Sequence, residues 1–297
     1  MTILLTGASG FVGSYLQKVL PSMPLEDESG IIDIREADRL ESALKRCKPN
    51  SVIHLAAQSF VPASFEDPET TFDINFKGTF NLLKALKKAE FSGIMIYVST
   101  GDVYGRVHSV DLPIHEDHPL RPRNPYAVSK VAAEALCYQW SQTESFKILI
   151  VRPFNHIGPG QAANFVVSNF AKQILEIKRG TIDPIINVGD IEVTRDFTDV
   201  RDIVRAYSLL LEYGKNGEAY NVCSGKERTI RDLLDIMLSL SKVEVEIRKD
   251  VSRMRPSEQR RVRGDFSKLK SDTGWSPQIP LEQTLTDVLD YWDKILP

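Results

Sequence analysis

The sequence predicts an α/β fold, a Rossmann-type parallel sheet with helices on both faces, joined to a smaller, discontinuous α/β substrate lobe. The first observation behind this is the opening: an apolar run, Ile3-Leu4-Leu5, a glycine-rich turn, Thr6–Gly13, and an apolar-periodic stretch through Leu16, Val19 and Leu20. The second is the alternation of strand and helix patterns that follows as far as Val151, which calls for parallel strands and helical crossovers. The third is the change at Arg152, where the pattern breaks into turn-rich segments around shorter elements. Residues 1–155 and 197–223 are expected to form the larger domain, and 156–196 with 224–297 the smaller lobe. A chain of 297 residues has room for both.

Composition narrows the class. Apolar residues make up 42% and charged residues 26%, enough for a buried core and incompatible with a disordered chain. Lys plus Arg at 37 against Asp plus Glu at 40 gives a net charge of −3, which argues against a nucleic-acid partner. No apolar run approaches the roughly 18 residues of a membrane helix. Met1 runs almost directly into a strand, leaving no space for a leader. Cys47, Cys137 and Cys223 are widely separated, as suits a reducing compartment. A cytoplasmic protein is the expectation.

Each element has a stated use. In the glycine turn, Gly7 allows a sharp exit from the strand, Gly10 lets the backbone approach a pyrophosphate, and Gly13 brings helix and sheet together. Phe11 and Val12 belong to the same cradle. The second strand–helix unit looks cut short, because Pro21, Pro24 and Glu26-Asp27-Glu28 interrupt the pattern before Ile31-Ile32-Asp33. Asp33 and Arg35, flanking Ile34, then compete as adenosine-side contacts, so NADH and NADPH remain equally open. Ser51–Leu55 reads as a strand whose exit, Leu55-Ala56-Ala57, has side chains small enough to admit a flat ligand. Thr71–Ala89 reads as a helix carrying Asn75, counted with the cofactor site, and a stripe of Phe72, Phe76, Phe80, Leu83 and Leu86. Ile94–Ser99 is the next strand, Pro125–Trp140 the next helix and Lys147–Val151 a further strand.

A catalytic constellation follows from order and spacing. Ser99-Thr100-Gly101-Asp102 stands just past the carboxyl end of a strand, where open sheets bind ligands. Tyr126 and Lys130 open the next helix at i,i+4, hence on one face. Hydride transfer to a carbonyl needs a proton donor, which a phenol supplies. An ammonium nearby is expected to lower the phenol's pKa toward neutrality. Thr100 would hold the carbonyl oxygen, and Lys130 would also grip the nicotinamide ribose. His54 and His156 read as structural, and no spacing points to a metal.

The motifs TGASGFVG (Thr6–Gly13), HLAAQSFVP (His54–Pro62), STGDVYG (Ser99–Gly105), RNPYAVSK (Arg123–Lys130), RPFNHIGPGQ (Arg152–Gln161), VTRDFTDVRD (Val193–Asp202), YNVCSG (Tyr220–Gly225) and MRPSEQRRVRGD (Met254–Asp265) resemble the extended short-chain dehydrogenase/reductase family. The resemblance covers essentially the whole chain. It implies catalysis by Thr100, Tyr126 and Lys130, and a GDP-linked keto-deoxyhexose as substrate. The implied reaction is reduction of the C4 ketone of GDP-4-dehydro-6-deoxy-D-mannose to GDP-D-rhamnose by NADPH or NADH, in a homodimer. It also implies substrate contacts from Thr100 and Asp102, diphosphate contacts from Asn155 and Arg195, a further diphosphate or ribose contact from Arg255, and in Glu258 the carboxylate that accepts the nucleotide ribose hydroxyls.

Two other functions share these features. A GDP-mannose 4,6-dehydratase uses the same core, and Asp102 does not dispose of it, although the chain is shorter and long dehydratase loops are missing. A non-catalytic nucleotide sensor is opposed by the intact Thr100/Tyr126/Lys130 set. The basic stretch Arg248–Lys270, with Arg253, Arg255, Arg260, Arg261 and Arg263, suits a diphosphate and equally a solvated face.

Overall fold

The structure, a computed structural model, describes residues 2–250 and 259–297. In chain order the first elements are β1 (Ile3–Thr6), α1 (Phe11–Val19), β2 (Ser22–Pro24), the two-residue strands β3 (Glu26–Asp27) and β4 (Gly30–Ile31), α2 (Ala37–Cys47) and β5 (Ser51–His54). Then come α3 (Val61–Glu66), α4 (Pro68–Phe72), a π-helical turn (Asp73–Gly78), α5 (Thr79–Lys88), β6 (Ile94–Val98), α6 (Pro125–Thr143) and β7 (Lys147–Pro153). The remainder is β8 (Asn155–Ile157), α7 (Val166–Lys178), β9 (Ile185–Val188), β10 (Thr194–Asp199), α8 (Val200–Tyr213), β11 (Ala219–Val222), β12 (Glu227–Thr229), α9 (Ile230–Ser241), β13 (Glu246–Lys249), α10 (Ser267–Thr273) and α11 (Leu281–Ile295).

Six strands form one parallel sheet in the order β2-β1-β5-β6-β7-β11. Their alternation explains why the strands read as continuous apolar runs. Leu4, Val52, Met95, Tyr97, Ile148 and Ile150 join one core, with Leu40 and Leu44 of α2 and Leu82, Leu83 and Leu86 of α5. Ile3, Leu5, Ile53, Ile96, Leu149 and Val151 join the opposite core, with Leu16 of α1 and Ile203, Tyr207 and Leu210 of α8. Both faces are covered, as a parallel sheet requires. Chain order reverses between β1 and β5, so the crevice past the carboxyl ends of these strands is the switch point where such sheets bind ligands.

Two expectations are corrected. The sheet strand of the second unit is Ser22–Pro24, within the interrupting segment itself, and not Ile31–Asp33; Pro24 is tolerated because β2 is an edge strand. Its helix is present as α2, although among the described residues no further strand lies outside β2. The helix expected over Thr71–Ala89 contains a π turn at Asp73–Gly78, and such turns recur at functional sites.

A third core gathers α7, α9 and α11 against β9 and β10 through Phe170, Ile174, Ile186, Phe197, Leu233, Met237 and Leu285. Residues of α10 and the following turn return to the sheet instead: Leu269 and Trp275 are fully buried in the core beneath β11 and α8. No helix among the described residues is long and apolar enough to cross a membrane.

Candidate active site

The glycine turn fits a dinucleotide phosphate. Gly7 has φ +69°, and a Cβ there would lie 2.8 Å from the Ala56 nitrogen; a Cβ on Gly13 would lie 2.4 Å from the Gly7 carbonyl oxygen. Neither position accepts a side chain. Gly10 is the N-cap of α1 and offers its amides no side-chain acceptor, so the N–H groups at Phe11 and Val12 face outward for an anion. Leu55, Ala56 and Ala57 border the turn, and the Ala56 N–H is held by Thr6 Oγ1 at 3.1 Å.

That border is fixed by a buried relay through His54. Thr79 Oγ1 donates to the Asn75 carbonyl at 2.6 Å, so it accepts from His54 Nε2 at 2.9 Å. Nδ1 is left to accept from Thr6 Oγ1 at 2.7 Å. Burial pushes the imidazole down to about 3, which keeps it neutral. His54 is a staple between β1, β5 and α5, as its sequence position led one to expect. His156 stacks on Phe11, with centroids 6.1 Å apart and planes 2° from parallel, and so joins α1 to the exit of β7.

Asn75, buried in the π turn, spends its amide within the protein. Its Nδ2 donates to Ser129 Oγ at 2.9 Å and to the Gln58 carbonyl at 3.0 Å, while Oδ1 accepts the Gln58 N–H at 2.8 Å. It therefore ties the loop after β5 to α6 next to Lys130. Asp33 and Arg35 turn out to be partners, joined by a fork with Nη2 to Oδ2 at 2.6 Å on an exposed surface. Ile34 between them is buried, its side chain filling the space beside Gly78.

Thr100 caps a short 3₁₀ turn, Gly101–Tyr104, by accepting the Asp102 N–H at 3.2 Å. Asn124 caps α6 through the Ala127 N–H at 2.7 Å, with Pro125 in the first turn, and so sets where Tyr126 and Lys130 start. Tyr126 is 8% exposed, and its hydroxyl is hydrogen-bonded to Thr100. Burial and the Asp102 carboxylate raise the phenol's pKa above its ordinary value, with Thr100 opposing them. Lys130 does not produce the expected lowering. Lys130 instead donates to the Val98 carbonyl at 2.8 Å with its ammonium 5.0 Å from the Tyr97 ring centroid, and burial brings it down to about 8.

On the other side of the crevice, Asn155 is exposed at the start of β8. The half-buried Arg195 donates to the carbonyls of Thr194 at 2.7 Å and Gln259 at 2.9 Å, fastening the segment that follows residue 258. Arg253, Arg255 and Glu258 lie outside the described residues. Arg260 and Arg261 pair with Asp190 and Glu227 at the surface, so for these two the solvated face is the observed one.

Two groups of polar side chains went unread in the sequence. Asp196, buried, accepts from the N–H groups of Ser224, Gly225 and Gly264 and from Ser224 Oγ at 2.6–3.0 Å, knitting β10 to two loops of the crevice wall. No local pattern marks it as buried, because its strand, TRDFTD, carries a single apolar residue, Phe197. The other group is a buried ion pair, Glu134–Arg152, at 2.7 Å behind the catalytic helix.

Known proteins share this arrangement. The profile of the GDP-mannose 4,6-dehydratase family matches residues 26–288. GDP-6-deoxy-D-mannose reductase of Pseudomonas aeruginosa is 48% identical over 98% of this chain and 97% of its own. A solved structure of RMD from Pseudomonas aeruginosa complexed with NADPH superposes with a TM-score of 0.94 at 47% identity, covering 99% of both chains. GDP-mannose 4,6-dehydratase of Yersinia enterocolitica is 26% identical over 86% of this chain and 76% of its own. With the glycine cradle, the switch-point crevice and the Thr100/Tyr126/Lys130 set in place, the chain belongs to the GDP-mannose 4,6-dehydratase family, within the extended short-chain dehydrogenases/reductases.

Proposed function

We propose that the protein reduces the C4 ketone of GDP-4-dehydro-6-deoxy-D-mannose to GDP-D-rhamnose, with NADPH or NADH as the reductant. The observation that carries this is the buried Tyr126 phenol, bonded to Thr100, with Lys130 on the same face of α6 at the sheet's switch point. A nicotinamide held by Lys130 and the glycine turn would supply the hydride to C4. Tyr126 gives its proton to the C4 oxygen, so carbonyl becomes hydroxyl with atoms and charge balanced. Its raised pKa keeps the proton in place until negative charge develops on that oxygen. Thr100 hydrogen-bonds the same oxygen and Asp102 takes a sugar hydroxyl. Lys130 holds the nicotinamide ribose, while Gly7, Gly10, Phe11, Val12 and Gly13 hold the pyrophosphate and Asp33, Ile34 and Arg35 border the adenosine. Asn155, Arg195, Arg255 and Glu258 receive the GDP half. In this reading residues 1–155 and 197–223 bind the dinucleotide, and 156–196 with 224–297, apart from the Ser267–Trp275 segment buried against the sheet, bind the sugar nucleotide.

The test is loss of nicotinamide absorbance with the keto sugar nucleotide. Stoichiometric NAD(P)H consumption is the expected result. Loss of water from GDP-mannose without net cofactor consumption would identify a dehydratase instead, and inertness toward both would leave a sensor. The reductase is favoured by identity to the Pseudomonas reductase, 48% against 26% for the Yersinia dehydratase, and by coverage of 97% against 76% of those proteins.

Arg195→Ala should raise the KM for the sugar nucleotide about tenfold or more with kcat within about threefold, as for a charge-assisted contact made equally in ground and transition states. A change confined to kcat would remove Arg195 from the diphosphate site. We also infer a cytoplasmic homodimer joined through the 68–88 helix and α6. Leu83 and Leu86 go into the core, but Phe76 and Phe80 are 36% and 37% exposed, with Val128 and Tyr138 also exposed on α6. Sedimentation at twice the 33.4 kDa chain mass is expected, and a monomer at micromolar concentration would exclude it.

A further inference from the structure

Behind the catalytic helix lies a polar network that the proposed mechanism does not use. Arg152, at the end of β7, and Glu134, on α6, have side chains only 7% and 3% exposed. The guanidinium meets the carboxylate as a fork, with Nε 3.1 Å from Oε1 and 3.2 Å from Oε2, and Nη2 2.7 Å from Oε2. Its Nη1 donates to Tyr104 Oη at 2.9 Å and to the Glu116 carbonyl at 3.1 Å. Tyr104 donates onward to Asn221 Oδ1 at 2.7 Å, and Asn221 donates from Nδ2 to the Ile114 carbonyl and from its backbone N–H to the Glu116 carboxylate. With four of its five N–H donors committed within the protein and its side chain only 7% exposed, Arg152 is held in the network and not offered to a ligand.

The energetics make this arrangement unexpected for stability alone. Burying two charges is costly, and well-packed apolar side chains of like volume often do as well or better. What the network does achieve is a connection. Glu134 is one turn beyond Lys130 on α6, and Tyr104 closes the 3₁₀ turn that carries Asp102 and is capped by Thr100. The guanidinium is thus the bolt between the two segments that must meet at the reacting carbonyl.

We propose that Glu134 and Arg152 are positioning residues that clamp the Thr100–Tyr104 turn to the helix bearing Tyr126 and Lys130, and that the Glu134 carboxylate also keeps the Arg152 cation from opposing the Lys130 ammonium. The inference rests on the reductase reading for its kinetic consequence and on geometry alone for its structural one. The ionisable groups around Lys130 are His54 on β5, Tyr97 on β6, and Glu134 and Cys137 on α6. Burial holds His54, Tyr97 and Cys137 in their neutral forms at neutral pH, so Glu134 is the anion among them.

The test uses the full-length protein in two variants. Glu134→Leu/Arg152→Met replaces the ion pair by apolar side chains and is expected to fold with a Tm near the wild type. In it, amide hydrogen exchange at Gly101–Tyr104 should accelerate about tenfold or more, and kcat should fall about tenfold or more with both KM values within about threefold. A folded double variant with wild-type kcat and wild-type exchange in that turn overturns the clamp. Glu134→Gln leaves the neighbouring guanidinium uncompensated, so the alkaline limb of kcat/KM should move to lower pH by about a unit. A superimposable profile overturns the electrostatic part, and this variant decides the matter should the double variant not fold. Were the wild type inactive on the keto sugar nucleotide, the reductase reading would fail while the exchange measurement still tested the clamp.

Discussion

Replacing Tyr126 by Phe is expected to lower turnover at least ~100-fold while leaving NAD(P)H affinity nearly unchanged, the signature of a lost proton donor. The substitution removes one oxygen from a side chain that is 8% exposed, so ring packing and the fold survive. It removes the group bonded to Thr100 and leaves that hydroxyl to orient the carbonyl alone. Thr100 cannot replace the phenol as an acid, because an aliphatic hydroxyl holds its proton far more tightly. Stopped-flow absorbance for the hydride step, beside fluorescence titration of the coenzyme, separates the two effects. A near-wild-type rate would exclude Tyr126 as the acid; equal losses in rate and coenzyme affinity would show that the ring positions the nicotinamide instead. The direction of the phenol's shift matters here. Burial and Asp102 hold it neutral, the protonation state a ketone reduction requires at its start.

The legible parts of this protein are those written in local pattern. The glycine turn was legible from spacing because the φ of +69° at Gly7 and the contact of Gly13 with Gly7 and Ala8 are local, although the crowding of Gly7 by Ala56 is not, and the parallel sheet was legible from apolar runs such as Ile3–Leu5 and Ile94–Val98. Tyr126 and Lys130 could be set on one face of α6 because helical periodicity alone brings i and i+4 together. What the sequence hid depends on partners far away in the chain. Asp33 and Arg35 looked like rivals because nothing local says that two exposed charges at i,i+2 will pair. The edge strand at Ser22–Pro24 was missed because proline and polar residues there carry no strand signal, and only its place beside β1 makes it one. Asn75 read as a ligand contact, yet its amide is committed to Gln58 and Ser129, the latter 54 residues away. The absence of a Lys130 effect on Tyr126 has the same origin: the periodicity fixed the face, while the Val98 carbonyl, 32 residues earlier, fixed where the ammonium rests.

Lys130→Met is expected to weaken turnover and coenzyme affinity together, each by about tenfold or more, because in the proposed reading one ammonium would serve both the ribose and the field at the reacting oxygen. The same change should not weaken the fold. Burial takes the Lys130 pKa from 10.5 down to about 8, so the unfolded chain binds a proton more tightly than the folded one. That difference disfavours folding at neutral pH by about 3 kcal/mol and fades as pH rises from about 8 toward 10.5. Methionine removes this cost and fills a similar volume, although it forfeits the bond to the Val98 carbonyl. The variant should therefore melt no lower than the wild type at pH 7 and lose the part of the wild type's stability gain between pH 8 and 10 that Lys130 supplies. For the wild type, kcat/KM should decline above about pH 8 as the ammonium is lost, and in Lys130→Met this limb should disappear. Calorimetry across that pH range, beside the rate profile, reads both consequences. A variant that melts well below the wild type would mean the lysine holds the fold together, and one that binds and reduces normally would take Lys130 out of the site.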